Sequence, residues 1–259
     1  RVNIKAGTYT ISSALNIGVS NVVFRGYTTT IGDLDSVSPS TLRVAGADIP
    51  KVTGTTRAVS NTNYISNATI QNISFEFDAS DTVIYMNNMT DFSLLRCRAI
   101  NSNSAGRCTK SRYSFFQIAN CYLHNASTTV NVHETAALGG SSASIIRSVI
   151  SGGSVGSTGP STRYIDSLFI NQSGIAINGL GYTQQDIHGC SFYNAGSHFI
   201  SASSARLCVS QCVFDTCGGY AINKTGSNYC LTNNAYYDSS FTSGRISTSD
   251  GDDFEAVTL

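Results

Sequence analysis

Leu94-Leu95-Arg96-Cys97-Arg98-Ala99-Ile100-Asn101 returns 24 residues later as Ile118-Ala119-Asn120-Cys121-Tyr122-Leu123-His124-Asn125. Each stretch runs apolar residue, two variable positions, small residue, one variable position, second apolar residue, then Asn two places on. The small position recurs at Ile73, Cys97, Cys121, Ser148, Ser167, Cys190, Cys212 and Asn234, with gaps of 24, 24, 27, 19, 23, 22 and 22 residues. Three places earlier stand Ile70, Leu94, Ile118, Ile145, Tyr164, Ile187, Val209 and Leu231. Two places later stand Phe75, Ala99, Leu123, Ile150, Phe169, Phe192, Phe214 and Tyr236. Both rows are apolar throughout while the positions between them vary, which is strand alternation with one buried face.

A period near 23 residues predicts a solenoid in which each unit buries its face against its neighbours. The Leu-x-x-Leu-x-Leu frame of leucine-rich repeats is missing. Helical repeats are excluded by 23 Gly, only three Glu and abundant Ser, Thr and Asn. An all-β parallel β-helix of about ten to eleven coils is the expectation. Asn101, Asn125, Asn171 and Asn194 share one register and are expected to stack at a tight turn, because Asn tolerates left-handed backbone.

On these repeats, on that Asn row and on the opening Val2-Asn3-Ile4-Lys5-Ala6-Gly7-Thr8-Tyr9-Thr10-Ile11, the chain resembles the pectin-lyase-like superfamily of single-stranded right-handed parallel β-helices. The resemblance covers nearly the whole sequence. It implies a fold rather than an activity, because the scaffold serves lyases, hydrolases, esterases, phage tailspikes and bacterial adhesins alike. One domain is expected over 1–259, with less regular coils in 1–67, regular coils in 68–240 and an exit segment in 241–259. With no cap visible at either end, the chain is expected to be part of a longer one.

Zero net charge and 12% charged residues leave no footprint for nucleic acid. No apolar stretch is long enough for membrane insertion. Cys97, Cys121, Cys190 and Cys212 share the small inward position, and Cys208 and Cys230 share another. A buried, reduced thiol ladder packing as small apolar groups is therefore expected in place of disulfides. No metal site and no cofactor is expected, since the Cys spacings lack the paired short intervals of zinc sites.

The catalytic motifs of the related enzymes are missing. There is no Trp, and His188-Gly189 and Asp252-Asp253 are stray fragments on the wrong background. Two carboxylates one coil apart would suit glycoside hydrolysis, yet the row Asn72, Arg96, Asn120, Arg147, Asp166, Gly189, Gln211 and Asn233 holds no such pair. Arg147 and Asp166 read as a surface ion pair, with Arg147 as a thin candidate base. His133-Glu134 is the one acid/base doublet, in the coil with the longest spacing. A polysaccharide lyase or glycosidase with an unfamiliar site therefore stands as the enzymatic alternative, and a structural spacer as another.

The outward rows carry more. Tyr122, Val149, Leu168 and Val213 fall in one row, and His124, Ile170, Tyr193, Asp215 and Tyr237 in the next. An apolar centre edged by Tyr rings on an outward sheet marks a face partly covered by the chain's own loops, a subunit interface or a surface on which sugars stack. The expected role is an extracellular, cell-surface or virion β-helical module, tailspike-like or adhesin-like, whose partner is polysaccharide or cell-surface glycan. The resemblance to tailspikes implies a homotrimer.

Overall fold

A computed structural model describes residues 1–26, 50–61, 64–126, 133–135, 142–157, 161–179, 184–203, 206–225, 229–237 and 244–248. Every strand pairing among them is parallel, and they contain no helix. Among the described residues ten strands form the first sheet: Thr8–Thr10, Lys51–Gly54, Ser74–Phe77, Arg98–Asn101, Tyr122–Asn125, Val149–Gly152, Leu168–Gln172, Ser191–Ala195, Val213–Cys217 and Ala235–Tyr236. The other 18 strands form a second sheet that bends around the rest of each coil. The molecule is thus a parallel β-solenoid. Gly244–Thr248, inside the expected exit segment, still pairs with Tyr220–Thr225; residues 249–259 lie outside the described part.

The register is the one the repeat requires. Phe75, Ala99, Leu123, Ile150, Phe169, Phe192, Phe214 and Tyr236 lie opposite one another in successive coils, all buried. From Phe169 onward the rings stack, with centroids 4.8, 4.8 and 5.2 Å apart and interplanar angles of 11, 10 and 9°. Truncating one ring, as in Phe192→Ala, would cost about 3–5 kcal/mol, because its neighbours on both sides lose contacts.

The row before the small position is a turn, not an outward strand face. Asn72, Arg96, Asn120, Arg147, Asp166, Gln211 and Asn233 all have φ between 45° and 56°, and Gly189 has 62°. Each reverses the chain into the ten-stranded sheet. A left-handed residue is required there in every coil, which favours Asn and Gly and makes the two Arg costly.

The small position is a hydrogen-bond ladder rather than a column of small apolar fillers. The Cys97 N–H donates to Cys121 Sγ (3.4 Å), Cys121 N–H to Ser148 Oγ (3.1 Å), Ser148 N–H to Ser167 Oγ (3.2 Å) and Cys212 N–H to Asn234 Oδ1 (3.0 Å). The Cys and Ser side chains in turn donate to the carbonyl two residues back, as Ser148 does to Ile146 at 2.9 Å and Cys121 to Ala119 at 3.3 Å. Buried corner amides have no sheet partner, so each needs this side-chain acceptor.

The expected Asn row divides in two. Asn101 and Asn125 are buried and tie down the turns beside them, with Asn101 accepting from Ala79 N–H (3.1 Å) and Asn125 donating to Gly106 C=O (2.6 Å). Asn171 and Asn194 are exposed at φ 54° and 55°, and Asn194 Nδ2 donates to Asn171 Oδ1 at 2.9 Å. A one-residue bulge after Ser151 separates the two groups, so Gln172 and Ala195 take the inward register instead.

All eight cysteines are free. Six are buried, but Cys208 and Cys230 pair in register on the solvent side, which corrects the expectation of a wholly buried set. Alternation explains it: Leu207 and Val209 already fill the inward positions of that strand.

Candidate functional site

Strand alternation turns the variable positions of the ten-stranded sheet outward. Tyr122, Val149, Leu168, Ser191 and Val213 follow one another along one row, and His124, Ser151, Ile170, Tyr193 and Asp215 along the next. Tyr237 follows Tyr236, the partner of Phe214, and so continues the Asp215 row. Tyr193 and Tyr237 are exposed to 37% and 55%, while Tyr122, His124, Val149, Leu168, Ile170, Val213 and Asp215 are half-buried. The apolar strip is therefore open to solvent at its surface.

At its N-terminal side the strip meets a charged border that sequence reasoning did not single out. Glu76 is paired with Lys51 and with Arg98 (3.2 Å), and the Arg98 guanidinium lies 5.8 Å from the centre of the Tyr122 ring. Tyr122 and His124 have centroids 6.3 Å apart at 20°, and His124 Nδ1 lies 3.3 Å from Ser151 Oγ. Burial first, and then the nearby Arg98 charge, lower the His124 pKa from its ordinary value. Lys51 could not be assigned from the repeat, because the repeat rows begin at Ile70.

The other candidates are spread apart. Arg147 and Asp166 are exposed turn residues, and no ion pair joins them among the described residues; the Asp166 carboxylate lies against Gly189. His133 and Glu134 lie on the strand His133–Thr135. His133 is in register with buried Thr109 and Val155, and Glu134 with Lys110 and Gly156. Lys110 is in turn opposite Tyr85, over whose ring Arg57 sits at 4.8 Å while pairing with Asp81. This second charged region is a whole sheet away from the Tyr face. Among the described residues no three His, Cys, Asp or Glu are grouped to hold a metal ion, and no helix is long and apolar enough to cross a membrane.

The chain is a parallel β-helix protein. Its fold is similar to that of ORF18 of Geobacillus virus E2, with a TM-score of 0.50 and 11% identity, over 96% of this chain and 54% of that one. It is also similar to the catalytic unit of a GH87 alpha-1,3-glucanase from Streptomyces thermodiastaticus (TM-score 0.48, 10% identity, 96% and 62% covered). A third likeness is to a surface adhesin of Streptococcus pneumoniae (TM-score 0.45, 12% identity, 97% and 85% covered). The chain thus spans between half and two thirds of the length of the first two. No protein-family model matches it, and no curated protein matches it in sequence.

Proposed function

We propose that this chain is a surface module, extracellular or on a virion, that binds polysaccharide along the outward face of its ten-stranded sheet. The observation that carries this is the open strip from Tyr122 to Tyr237, in which rings and aliphatic side chains alternate with His124, Ser151, Ser191 and Asp215. Sugar rings offer apolar C–H faces for such rings and hydroxyls for such polar groups. Coils recur about every 4.8 Å, close to the advance of one pyranose along an extended glycan, so a chain ligand laid along the solenoid meets equivalent positions repeatedly. The test is a glycan array with Tyr122→Ala, Tyr193→Ala and Tyr237→Ala. Each is expected to weaken binding of the best glycan about tenfold, ~1.4 kcal/mol; unchanged binding in all three defeats the proposal. Release of reducing ends or unsaturated uronates from that glycan would place the chain in the enzymatic alternative.

A second reading is favoured by the aliphatic centre Val149, Leu168 and Ile170, which suits burial against other copies. A homotrimer is the form that the tailspike resemblance suggests for it.

A further inference from the structure

We propose a second, separate carbohydrate subsite on the outer surface of the large sheet, shaped for one pyranose ring of a neutral polysaccharide and selective against uronic acids. It rests on the polysaccharide reading above, but on different residues. The site is a groove of about 250 Å³ crossing three neighbouring strands, with Asp91, Ser93, Phe115, Gln117, Ser142 and Ser144 at its surface. Its volume falls below the range of roughly 300–1,000 Å³ that drug-sized ligands occupy, which suits a single ring.

The groove exists because the register breaks there. Between Ser114 and Phe116 the pairing slips, so Thr90 and Asp91 on one strand face only Phe115 on the next. Bulges of this kind redirect side chains and accompany binding sites. Asp91 takes the extra position at φ 57°, where the two preceding coils have Asn67 (51°) and Asn21 (58°), joined by a hydrogen bond of 3.1 Å. Asn serves that backbone better and carries no charge, so the carboxylate at this coil is not explained by the fold.

Phe115 is 54% exposed beside it. Phe92 and Phe116, with rings 4.7 Å apart, turn inward and are buried in the core beneath it, so Phe115 is the ring that the groove presents. Around this platform stand three Ser hydroxyls and the Gln117 amide, whose Oε1 lies 3.4 Å from Ser93 Oγ. An aromatic plate edged by short donors and acceptors matches a sugar ring. A peptide strand has no edge to add to, because the strands here are interior to the sheet. Among the described lining residues Asp91 carries the only charge, so a ligand carboxylate would meet repulsion without a compensating cation.

The experiment is calorimetry with neutral oligosaccharides of glucose, galactose and mannose and with oligogalacturonate, on wild type, Phe115→Ala, Asp91→Asn and Tyr193→Ala. Phe115 and Asp91 are exposed, and Asn suits the left-handed backbone, so these variants keep the fold. Wild type is expected to prefer a neutral oligosaccharide, Phe115→Ala to lose about tenfold for it, and Asp91→Asn to gain at least threefold for oligogalacturonate. If Tyr193→Ala loses affinity while Phe115→Ala does not, this subsite is overturned and the Tyr face stands. If Phe115→Ala alone loses affinity, the groove stands and the Tyr face falls. If wild type binds none of the probes, or Asp91→Asn leaves the discrimination unchanged, the inference is wrong.

Discussion

The N–H of Cys97 donates to the Sγ of Cys121 across 3.4 Å, although the two are 24 residues apart, and Cys121 Sγ returns the bond to the carbonyl of Ala119. One side chain therefore satisfies the Cys97 amide and adds a second bond to a carbonyl that already accepts the Arg96 N–H at 2.9 Å. Cys121→Ser preserves both roles and is expected to change stability by less than about 1 kcal/mol. Cys121→Ala strands the Cys97 amide and should cost about 1–3 kcal/mol. Urea unfolding midpoints of the two variants decide between a ladder and simple space filling; equal midpoints would mean that only volume matters.

Burial also controls the thiols. Cys108 and Cys121 are pushed up from about 9 to about 12 by desolvation. A thiol whose folded value is raised stabilises the fold fully below its unfolded value and ceases to do so as pH climbs through the folded one. Stability should therefore hold to about pH 9 and then fall toward pH 12 by ~1.4 kcal/mol per pH unit and thiol. The slope should flatten in Cys121→Ser. A flat profile from pH 9 to 11 in wild type would contradict it.

Labelling of the native protein with a thiol reagent should show two fast sites, Cys208 and Cys230, and six slow ones. Denatured protein should show eight free thiols. Mass spectrometry that found the Cys97, Cys121, Cys190 or Cys212 sulfurs in disulfides would overturn the ladder.

Arg147 at φ 45° is held in a conformation that glycine adopts without cost. Arg147→Gly should leave stability unchanged or raise it, and glycan binding should be untouched. Arg147→Val should cost about 1–2 kcal/mol, since β-branched residues resist left-handed backbone. A large loss of activity on any polysaccharide in Arg147→Gly, with stability intact, would instead restore Arg147 as a catalytic base.

Leu168→Asp and Ile170→Asp change outward positions only, so the coils should remain folded by circular dichroism. Light scattering then separates the two readings of the face. Dissociation of a wild-type oligomer supports subunit packing, and a wild-type monomer at high concentration excludes it.

The repeat made the inward rows legible residue by residue, because burial imposes a strict alternation that tolerates few exceptions. The row from Phe75 to Tyr236 lies in the predicted register. Turn conformation was less legible. Arg96, Arg147 and Asp166 look like surface charges in sequence, and only the chain reversal shows that the backbone position comes first and the side chain second. The bulge after Ser151 was invisible for a related reason: a one-residue slip leaves the spacing of Asn171 and Asn194 intact while moving both to the other face. The groove at Phe115 depends on a register break between two strands, which no single repeat contains.

The corner ladder has a direction. Cys97 is satisfied by Cys121, Cys121 by Ser148, Ser148 by Ser167, and Cys212 by Asn234, always by the coil that follows. Shortening the solenoid is therefore not symmetric. Cutting away coils from the N-terminal side leaves a spare acceptor, which water or a lone pair left idle accommodates at little cost. Cutting from the C-terminal side takes away the acceptor of the corner N–H in the new last coil, and water must reach that donor beside freshly uncovered core to replace it. Nested deletions should accordingly be tolerated further from the front than from the back, and the coil carrying Asn234 acts as the keystone against which the corners before it are set.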